Sequence, residues 1–350
     1  MSTFEKINVA VIGLGWVATQ RHIPLILRHP HLHLYGVVDK RPERIQRLMT
    51  QFHWLKSSVS REGEMPWERD VQAVLIATDP MNHYSLAKKM LQAGKHVLIE
   101  KPLTMSPEES RELEMISAQT GAICCVVHNF QFARSTLKLQ EMIRNGQLGK
   151  IQSIEAVQLS NPRRRLPVWY EQLPFGLFYD ESPHMFYMLE ALANQEIRHI
   201  QSTLLRKEGQ NTPLSVTGYY SAGETPIRLN MNFQASLSEW HVVVLGSNRV
   251  GIVDVFRDIL VSLPNDGPHR AREILATSSS FITTHIWGFL QSGVLLARGN
   301  LFYGADIVWA KFVKEIYGQQ KAQEISVARG ARVVELQHEI MAKSTFIEMP

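Results

Sequence analysis

Short β-branched runs alternate with helical patterns over the first third of the chain. The runs are INVAVIG at 7–13, LHLYGVVD at 32–39, VQAVLIAT at 71–78, KHVLIE at 95–100 and AICCVV at 122–127. Helical periodicity fills the intervals at 16–28, 42–53, 82–93 and 107–120. This alternation is typical of βαβ units, which build a parallel sheet covered by helices on both faces. We therefore predict an α/β domain with a doubly wound parallel sheet over residues 1–128.

The pattern changes after residue 150, where strand-like runs follow one another with few helical stretches between them. These runs are IQSIEAVQLS at 151–160, RHIQSTLLRK at 198–207, LSVTGYYS at 214–221, IRLNMNFQAS at 227–236, EWHVVVLGS at 239–247 and VGIVDVF at 250–256. A chain of 350 residues also exceeds the size at which single cores usually stop growing. The pattern predicts a second, α+β domain over 129–350 with a large, mainly antiparallel sheet. Helical periodicity at 303–318 and 328–343 predicts C-terminal helices that pack across the domain boundary.

A small-residue turn follows the first strand, in the stretch VIGLGWVATQ. Gly13, Gly15 and Ala18 have the G-x-G-x-x-A spacing, which lets a backbone approach a pyrophosphate at a helix N-terminus. Asp39 ends the second strand about 20 residues later, where a carboxylate can hold ribose hydroxyls. The alternative is a tight strand-to-helix turn with a solvated aspartate. We predict a Rossmann domain that prefers NAD to NADP, although Lys40 and Arg41 would attract a 2′-phosphate.

Composition narrows the classes of partner. The net charge of +4, from 37 Lys and Arg against 33 Asp and Glu, is small and interspersed, which argues against nucleic acid. The 2 Cys, Cys124 and Cys125, are adjacent in an apolar run, so neither a disulfide framework nor a metal site is expected. The N-terminus shows no secretory signal pattern, so we expect a cytoplasmic protein.

Residues 274–297 form a long stretch without Asp, Glu, Lys or Arg. The stretch is long enough to span a bilayer, but its serines, threonines, His285 and Gln291 make it too polar for lipid. We predict a buried or subunit-facing segment and no membrane association.

The run HVLIEKPLTM ends a strand with Glu100, Lys101 and Pro102. A surface turn is one interpretation, and delivery of Lys101 to a reaction centre is the other. Together with GLGWVA, ATDPMNH, AGKHVLIEKPL and HNFQFARSTLKLQEMIRNGQLGKI, this run resembles the glucose-fructose oxidoreductase, inositol dehydrogenase and rhizopine-catabolism (Gfo/Idh/MocA) family. The resemblance implies that Lys101 lies beside the nicotinamide and the substrate hydroxyl, that Glu100 borders the cofactor, and that the bond to Pro102 can be cis.

The resemblance also implies a wider set of cofactor-binding residues. They are Gly13, Gly15, Trp16, Val17, Ala18, Asp39, Lys40, Arg41, Ala77, Thr78, Asp79, Asn82, His83, Glu100, Lys101 and Asn129. No catalytic role is assigned to His22, His83 or His128.

The second signature of the family is an Asp and a His four residues apart, found here as Asp180 and His184 in FYDESPHMFYML. On a helix such a pair shares one face. We expect Pro183 in the first helical turn or just before it, which would place His184 near a helix N-terminus and keep its ring neutral. A packed core histidine is the alternative. Tyr187 stands where the family usually has a polar residue.

The loop NPRRRLPVWYEQ precedes this signature and carries Arg163, Arg164 and Arg165 with Trp169 and Tyr170. Three arginines in a proline-flanked loop can be a solvated surface or a subunit contact. They can also bind a phosphate or carboxylate of the substrate, with the aromatic rings beside a sugar.

Together these features predict an NAD-dependent dehydrogenase or ketoreductase (NADP possible) for a secondary hydroxyl of a sugar, sugar derivative or cyclitol. Lys101, Asp180 and His184 are the expected catalytic residues. A lyase or glycosidase that recycles its NAD, or a non-catalytic NAD-binding regulator, are the alternatives. We expect a homo-oligomer, a dimer or tetramer, because an open sheet face in the second domain needs a cover.

Overall fold

The structure is a computed structural model, and it describes residues 5–349. The chain divides into two compact units. The first unit runs to His128 and includes Ala305–Glu335. The second comprises Asn129–Gly304 and the chain from Leu336 onward.

The described part of the chain contains both helices and strands. The strands are β1 Ile7–Ile12, β2 Leu32–Asp39, β3 Lys56–Val59, β4 Ala73–Ile76, β5 His96–Ile99, β6 Cys124–Val126, β7 Ile151–Leu159, β8 Arg198–Lys207, β9 Ser215–Ala222, β10 Thr225–Asn232, β11 Glu239–Gly246, β12 Arg249–Asp254, β13 Ile259–Pro264 and β14 Thr345–Met349. The α-helices are α1 Ile23–Arg28, α2 Pro42–Met49, α3 His83–Gln92, α4 Pro107–Thr120, α5 Arg134–Arg144, α6 Leu177–Ala193, α7 Ala271–Ala297, α8 Ala305–Ile316 and α9 Val327–Lys343.

The first unit is built on a parallel sheet of six strands in the order β3-β2-β1-β4-β5-β6. Its central strands are buried along nearly their whole length, as expected where helices cover both faces. The register pairs Ile12 with Ile76 and Ile76 with Ile99, so the strands end at one common edge. The strand order reverses between β1 and β4, the position at which such sheets bind ligands. The predicted doubly wound Rossmann sheet is confirmed.

The second unit contains an eight-stranded sheet in the order β13-β12-β11-β7-β10-β9-β8-β14. Most neighbours are antiparallel, and the exceptions are β10 with β7 and β14 with β8. Alternating residues such as Ile154, Ala156, Val242 and Val244 are buried, while their neighbours along each strand are more exposed. The predicted large, mainly antiparallel sheet is therefore confirmed.

Helix α6 departs from its predicted start. Pro183 lies inside this helix instead of in its first turn, and His184 is correspondingly far from the N-terminus. The helix begins early because Gly176 adopts φ +53°, a conformation that favours glycine, and Thr212 Oγ1 accepts the Leu177 N–H at 3.1 Å. The prediction of a His184 ring kept neutral by a helix N-terminus is therefore wrong.

A side chain from α9 compensates for the missing N–H of Pro183. Within a helix that N–H would bond to the carbonyl of Tyr179, four residues earlier. Instead, the fully buried Gln337 donates from Nε2 to the Tyr179 carbonyl oxygen at 2.8 Å and to Ser182 Oγ at 2.9 Å. A proline is therefore tolerated inside α6 because a long-range donor satisfies the carbonyl that it leaves unpaired.

We expect Gln337→Leu to lower the free energy of unfolding by about 1–3 kcal/mol, because it leaves the buried Tyr179 carbonyl without this donor. The double variant with Pro183→Ala is the control, since an alanine in place of the proline restores a helical N–H for that carbonyl. The cost of Gln337→Leu should be smaller by about 1 kcal/mol in the Pro183→Ala background, measured by chemical denaturation. Equal costs in both backgrounds would contradict this account.

Residues 274–297, predicted to be buried or subunit-facing, lie in helix α7. The segment is not buried, since in α7 only Gly288 and Ser292 are buried. Among residues 5–349, no helix combines the length and the apolar character that a membrane crossing requires. Of the two predicted alternatives, burial is therefore wrong.

Candidate active site

The glycine turn lies at the carboxyl end of β1 in the first unit. Gly13 has φ +92°, and a Cβ at this position would lie 2.6 Å from the carbonyl oxygen of Ala77. Any side chain would therefore push the turn away from the end of β4. Trp16 and Val17 are exposed at the start of the following helix, whereas Ala18 is buried. The turn thus presents backbone where the motif predicts a pyrophosphate.

Asp39 is buried at the end of β2, and its carboxylate bonds to the turn. Its Oδ2 accepts the Leu14 N–H at 2.6 Å, and its Oδ1 accepts the Arg41 N–H at 2.8 Å. Arg44, which the sequence analysis did not single out, adds an ion pair at 3.3 Å from Nη1. A carboxylate offers about four acceptor positions, so one remains for a ribose hydroxyl. The arrangement therefore fits the predicted nucleotide, and Arg44 lies beside the carboxylate expected to hold its ribose.

Other predicted cofactor residues share this edge of the sheet. Ala77, Thr78, Asp79 and Asn82 follow β4, and all four are half-buried. Lys40 pairs with Asp79 at 2.9 Å, which ties the ends of β2 and β4 together. A Cβ at Gly15 would lie 3.9 Å from the carbonyl oxygen of Ala77, an ordinary contact.

Glu100 is held by a chain of hydrogen bonds at the end of β5. Trp309 Nε1 donates to His22 Nδ1 at 3.0 Å, and His22 Nε2 lies 2.8 Å from Glu100 Oε1. Because Nδ1 accepts, a neutral His22 carries its proton on Nε2 and donates it to Glu100. Burial raises the pKa of Glu100, but the hydrogen bond from His22 and the charge of Lys101 outweigh it and hold the pKa below its usual value. Glu100 is therefore a fixed carboxylate.

Lys101 follows in a turn supported by His83. The Lys101–Pro102 peptide bond is cis, as the family resemblance allows. His83 Nδ1 lies 2.7 Å from the Pro102 carbonyl oxygen, and Nε2 lies 3.3 Å from that of Thr78. Burial lowers the pKa of His83, and the hydrogen bonds to the two carbonyls oppose that shift. His83 is fully buried beneath the turn, and its predicted contact with a cofactor stays a prediction.

In the second unit, α6 carries Asp180 and His184 on one face, each 8% exposed. His184 Nδ1 lies 2.7 Å from the hydroxyl oxygen of Tyr187, which also accepts the Phe130 N–H at 3.2 Å. Phe130 and Trp240 contact the ring, with centroids at 4.9 and 5.3 Å. Tyr187 and the two aromatic rings therefore fix the orientation of His184, and the tautomer decides which group donates to the other.

Asn129 opens the second unit. Its Nδ2 donates to the carbonyl oxygen of Tyr303 at 3.0 Å, and Gly304 packs against its backbone. These contacts tie Asn129 to the segment before α8. Its predicted place in the cofactor site stays a prediction.

The arginine loop separates into two kinds of residue. Arg164 forms an ion pair with buried Glu181, which also accepts from Ser160 Oγ at 2.7 Å and from Gln158. Burial lowers the pKa of the Arg164 guanidinium, and the nearby Asp180 carboxylate opposes that shift. Arg164 thus lies among acidic residues of α6, and its predicted role in substrate binding stays a prediction.

Arg163 and Arg165 are exposed, and Trp169 and Tyr170 are half-buried. Substrate binding by these four residues stays a prediction. Burial and the Glu171 carboxylate, which accepts from the Tyr170 hydroxyl at 2.9 Å, raise the pKa of Tyr170.

Sequence reasoning named Tyr187 without a supporting role and missed the other residues that hold the site in place. Tyr187 had a detectable signal, because a residue three positions after His184 lies on the same helical face. Glu181, Gln337 and Trp309 had none, since their partners lie far along the chain.

Comparison with known proteins agrees with the Rossmann fold of the first unit. Residues 7–128 match the model of the Gfo/Idh/MocA oxidoreductase family, described as an NAD-binding Rossmann fold. The chain is 32% identical over 158 residues to D-glucoside 3-dehydrogenase of Escherichia coli, covering 43% of this chain and 42% of that protein. It is 26% identical over 186 residues to scyllo-inositol 2-dehydrogenase (NADP(+)) of Bacillus subtilis, covering 52% and 50%. The chain thus spans about half the length of the curated relatives it matches.

Solved structures resemble the whole chain. KijD10, a 3-ketoreductase from Actinomadura kijaniata solved with NADP and TDP-benzene, has a TM-score of 0.75 and 16% identity, covering 99% of this chain and all of that one. At this identity the likeness shows the fold alone. Residues 7–128 therefore match the Gfo/Idh/MocA family of oxidoreductases, and the first unit contains the NAD-binding Rossmann fold of that family.

Proposed function

We propose that this protein is an NAD-dependent oxidoreductase acting on a secondary hydroxyl or ketone of a sugar, sugar derivative or cyclitol. The observation that carries the proposal is the ordered His184, held beside Asp180 in a chain whose other unit binds NAD and presents Lys101. The relatives named for a glucoside and an inositol support a polyhydroxylated substrate. In this proposal the first unit binds the cofactor, and the second binds the substrate and forms the oligomer.

The proposed chemistry divides among three residues. Bound NAD supplies the acceptor or donor of the hydride. His184 exchanges the hydroxyl proton, with its ring oriented by Tyr187. The Lys101 ammonium stabilises the negative charge that develops on the substrate oxygen, and Asp180 orients the hydroxyl.

A screen of purified protein against sugars, sugar phosphates, nucleotide sugars and inositols tests this proposal. The measurement is net formation of reduced nicotinamide with NAD and with NADP. Activity on at least one polyol is the expected result. Conversion of a substrate without net reduction would favour an NAD-recycling lyase or glycosidase. Cofactor binding without conversion of any substrate would favour a regulator.

We expect tighter binding of NAD than of NADP, because the Asp39 carboxylate can accept a ribose hydroxyl but repels a 2′-phosphate. Asp39→Ala should narrow this preference and leave Lys40, Arg41 and Arg44 to attract the phosphate. Fluorescence titration with both reduced cofactors measures the ratio of dissociation constants.

Arg44→Ala is the matched control for that titration. This variant removes the cation beside Asp39 and should weaken the binding of NADP more than the binding of NAD. Tighter binding of NADP by the unmodified protein would refute the assignment of Asp39.

A further inference from the structure

Helix α7 turns its polar face toward the protein and its apolar face toward solvent, which is unusual for a surface helix of a monomer. The side that faces the protein is small and polar: Ser280 Oγ donates to the carbonyl oxygen of Ser262 in β13 at 2.7 Å, and Arg134 donates to Gln291 Oε1 and Ser292 Oγ. Gly288 packs directly on Ile259. Surface helices normally turn their apolar side to the core and their polar side to water.

The outward side of α7 is apolar. Leu275, Ile282, Ile286, Phe289 and Leu296 form a stripe along the exposed side of the helix, and each is between 53% and 67% exposed. Between Glu273 and Arg298 the helix carries no charged residue. Ten large apolar side chains of α7 are exposed, which amounts to on the order of 1,000 Å² when each is about half exposed.

This exposed apolar area distinguishes an interface from an ordinary surface patch. The largest apolar patch of a typical monomer is roughly 300–600 Å². One side of a standard stable interface covers about 800 Å². The outward side of α7 therefore has the size and composition of an interface core.

The order of large and small residues along the stripe is nearly the same in both directions. Ser279 and Gly293 interrupt the bulky residues at equal distances from Ile286, and Leu275 and Leu296 lie at its two ends. The alternating spacing of four and three residues is that of helices that pack knobs into holes. A twofold axis requires this symmetry, because residue i of one copy meets residue j of the other and the reverse.

We propose that α7 is a dimerisation helix that pairs antiparallel with α7 of a second copy of this chain, about a twofold axis at Ile286. With the axis at Ile286, the small residue Ser279 faces the small residue Gly293 of the second copy. Leu275 and Ile282 lie within one residue of the positions directly opposite Leu296 and Phe289. Antiparallel pairing also opposes the two helix dipoles. This interface differs from the open sheet face that the sequence suggested for assembly.

A lipid surface fits the same helix less well. Helices that lie on membranes usually carry Lys or Arg on their polar face. Here the polar face is uncharged and is already packed on β13. The small residues Ser279 and Gly293 let a second helix approach closely. A fluid lipid surface does not require such gaps in the stripe.

Light scattering coupled to size-exclusion chromatography of the full chain tests the interface. The unmodified protein should have at least twice the monomer mass, and Phe289→Glu should raise the dissociation constant of the dimer by roughly 30-fold or more. Met115→Glu, on an equally exposed apolar residue of α4, is the control and should leave the mass unchanged. A monomeric unmodified protein, or an assembly that Phe289→Glu does not weaken, would overturn the proposal.

Cysteine cross-linking tests the orientation without relying on the Glu variant. The native Cys124 and Cys125 are buried, so we expect only the introduced thiols to form cross-links. Ile286→Cys should form a disulfide-linked dimer by itself. Leu275→Cys should cross-link only when mixed with Leu296→Cys, because two copies of residue 275 would lie roughly 30 Å apart.

Cross-linking of Leu275→Cys with itself would overturn antiparallel pairing, and failure of Ile286→Cys to cross-link would overturn the interface. Sedimentation of the unmodified protein with phosphatidylcholine and phosphatidylglycerol vesicles provides a further measurement. Binding that Phe289→Glu abolishes would assign α7 to lipid instead, and the absence of binding is expected.

Discussion

Lys101→Ala should reduce kcat/KM by roughly a hundredfold or more on any substrate that the unmodified protein oxidises. The reason is electrostatic: the variant loses the ammonium that stabilises charge on the substrate oxygen. The fold should persist, because the turn that carries Lys101 is held by the backbone of Pro102, by His83 and by the anchored Glu100. Stopped-flow and steady-state assays with the substrate found in the screen measure the loss.

Two controls separate chemistry from binding in this variant. Lys89→Ala removes an ammonium that donates to the Glu62 carbonyl in the same unit, and it should leave turnover unchanged. Titration of NADH should give a dissociation constant for Lys101→Ala within about tenfold of the unmodified protein, one tenfold step being about 1.4 kcal/mol. Turnover by Lys101→Ala equal to that of the unmodified protein would remove Lys101 from the catalytic set.

His184→Ala should lower kcat by about a hundred- to ten-thousandfold, the usual range for loss of a general acid or base. His199→Ala, which removes a half-buried histidine bonded to Ser202, is the matched control and should retain activity. If His184 were only a packed core histidine, the two variants would differ in stability but not in turnover of the folded protein.

Tyr187→Phe resolves the role of the hydrogen bond at His184 Nδ1. This variant keeps the aromatic ring beside His184 and removes the hydroxyl. We expect a loss of kcat of roughly tenfold, smaller than that of His184→Ala, and a displaced pH profile, since the hydroxyl orients the ring and biases its tautomer. An unchanged pH profile would show that Tyr187 does not position His184.

The fold and the first half of the candidate site follow from features that are local in the chain. The glycine turn, Asp39 and the strand-final Glu100–Lys101–Pro102 each follow directly from a strand, and a parallel sheet brings its carboxyl ends to one edge. The prediction of a parallel sheet was therefore enough to place these residues along one edge of it. The same holds for Asp180 and His184, because four residues on a helix make one turn.

The predicted start of helix α6 was wrong because a residue far along the chain overrode a local sequence rule. The rule that proline avoids helix interiors predicted a late start for α6, and Gln337 of α9 overrode it by satisfying the Tyr179 carbonyl. The three arginines are equivalent in sequence, and the structure adds that Arg164 forms an ion pair with Glu181.

By itself, the sequence determined the order of strands and helices, the nucleotide turn, the family of the first unit and the residues proposed for catalysis. Only the tertiary structure decided which groups hold those residues in place: Trp309 and His22 behind Glu100, and Tyr187 beside His184. It also decided that α7 turns its apolar side outward. Periodicity specifies which residues share a face, but the direction of that face depends on contacts between segments far apart in the chain.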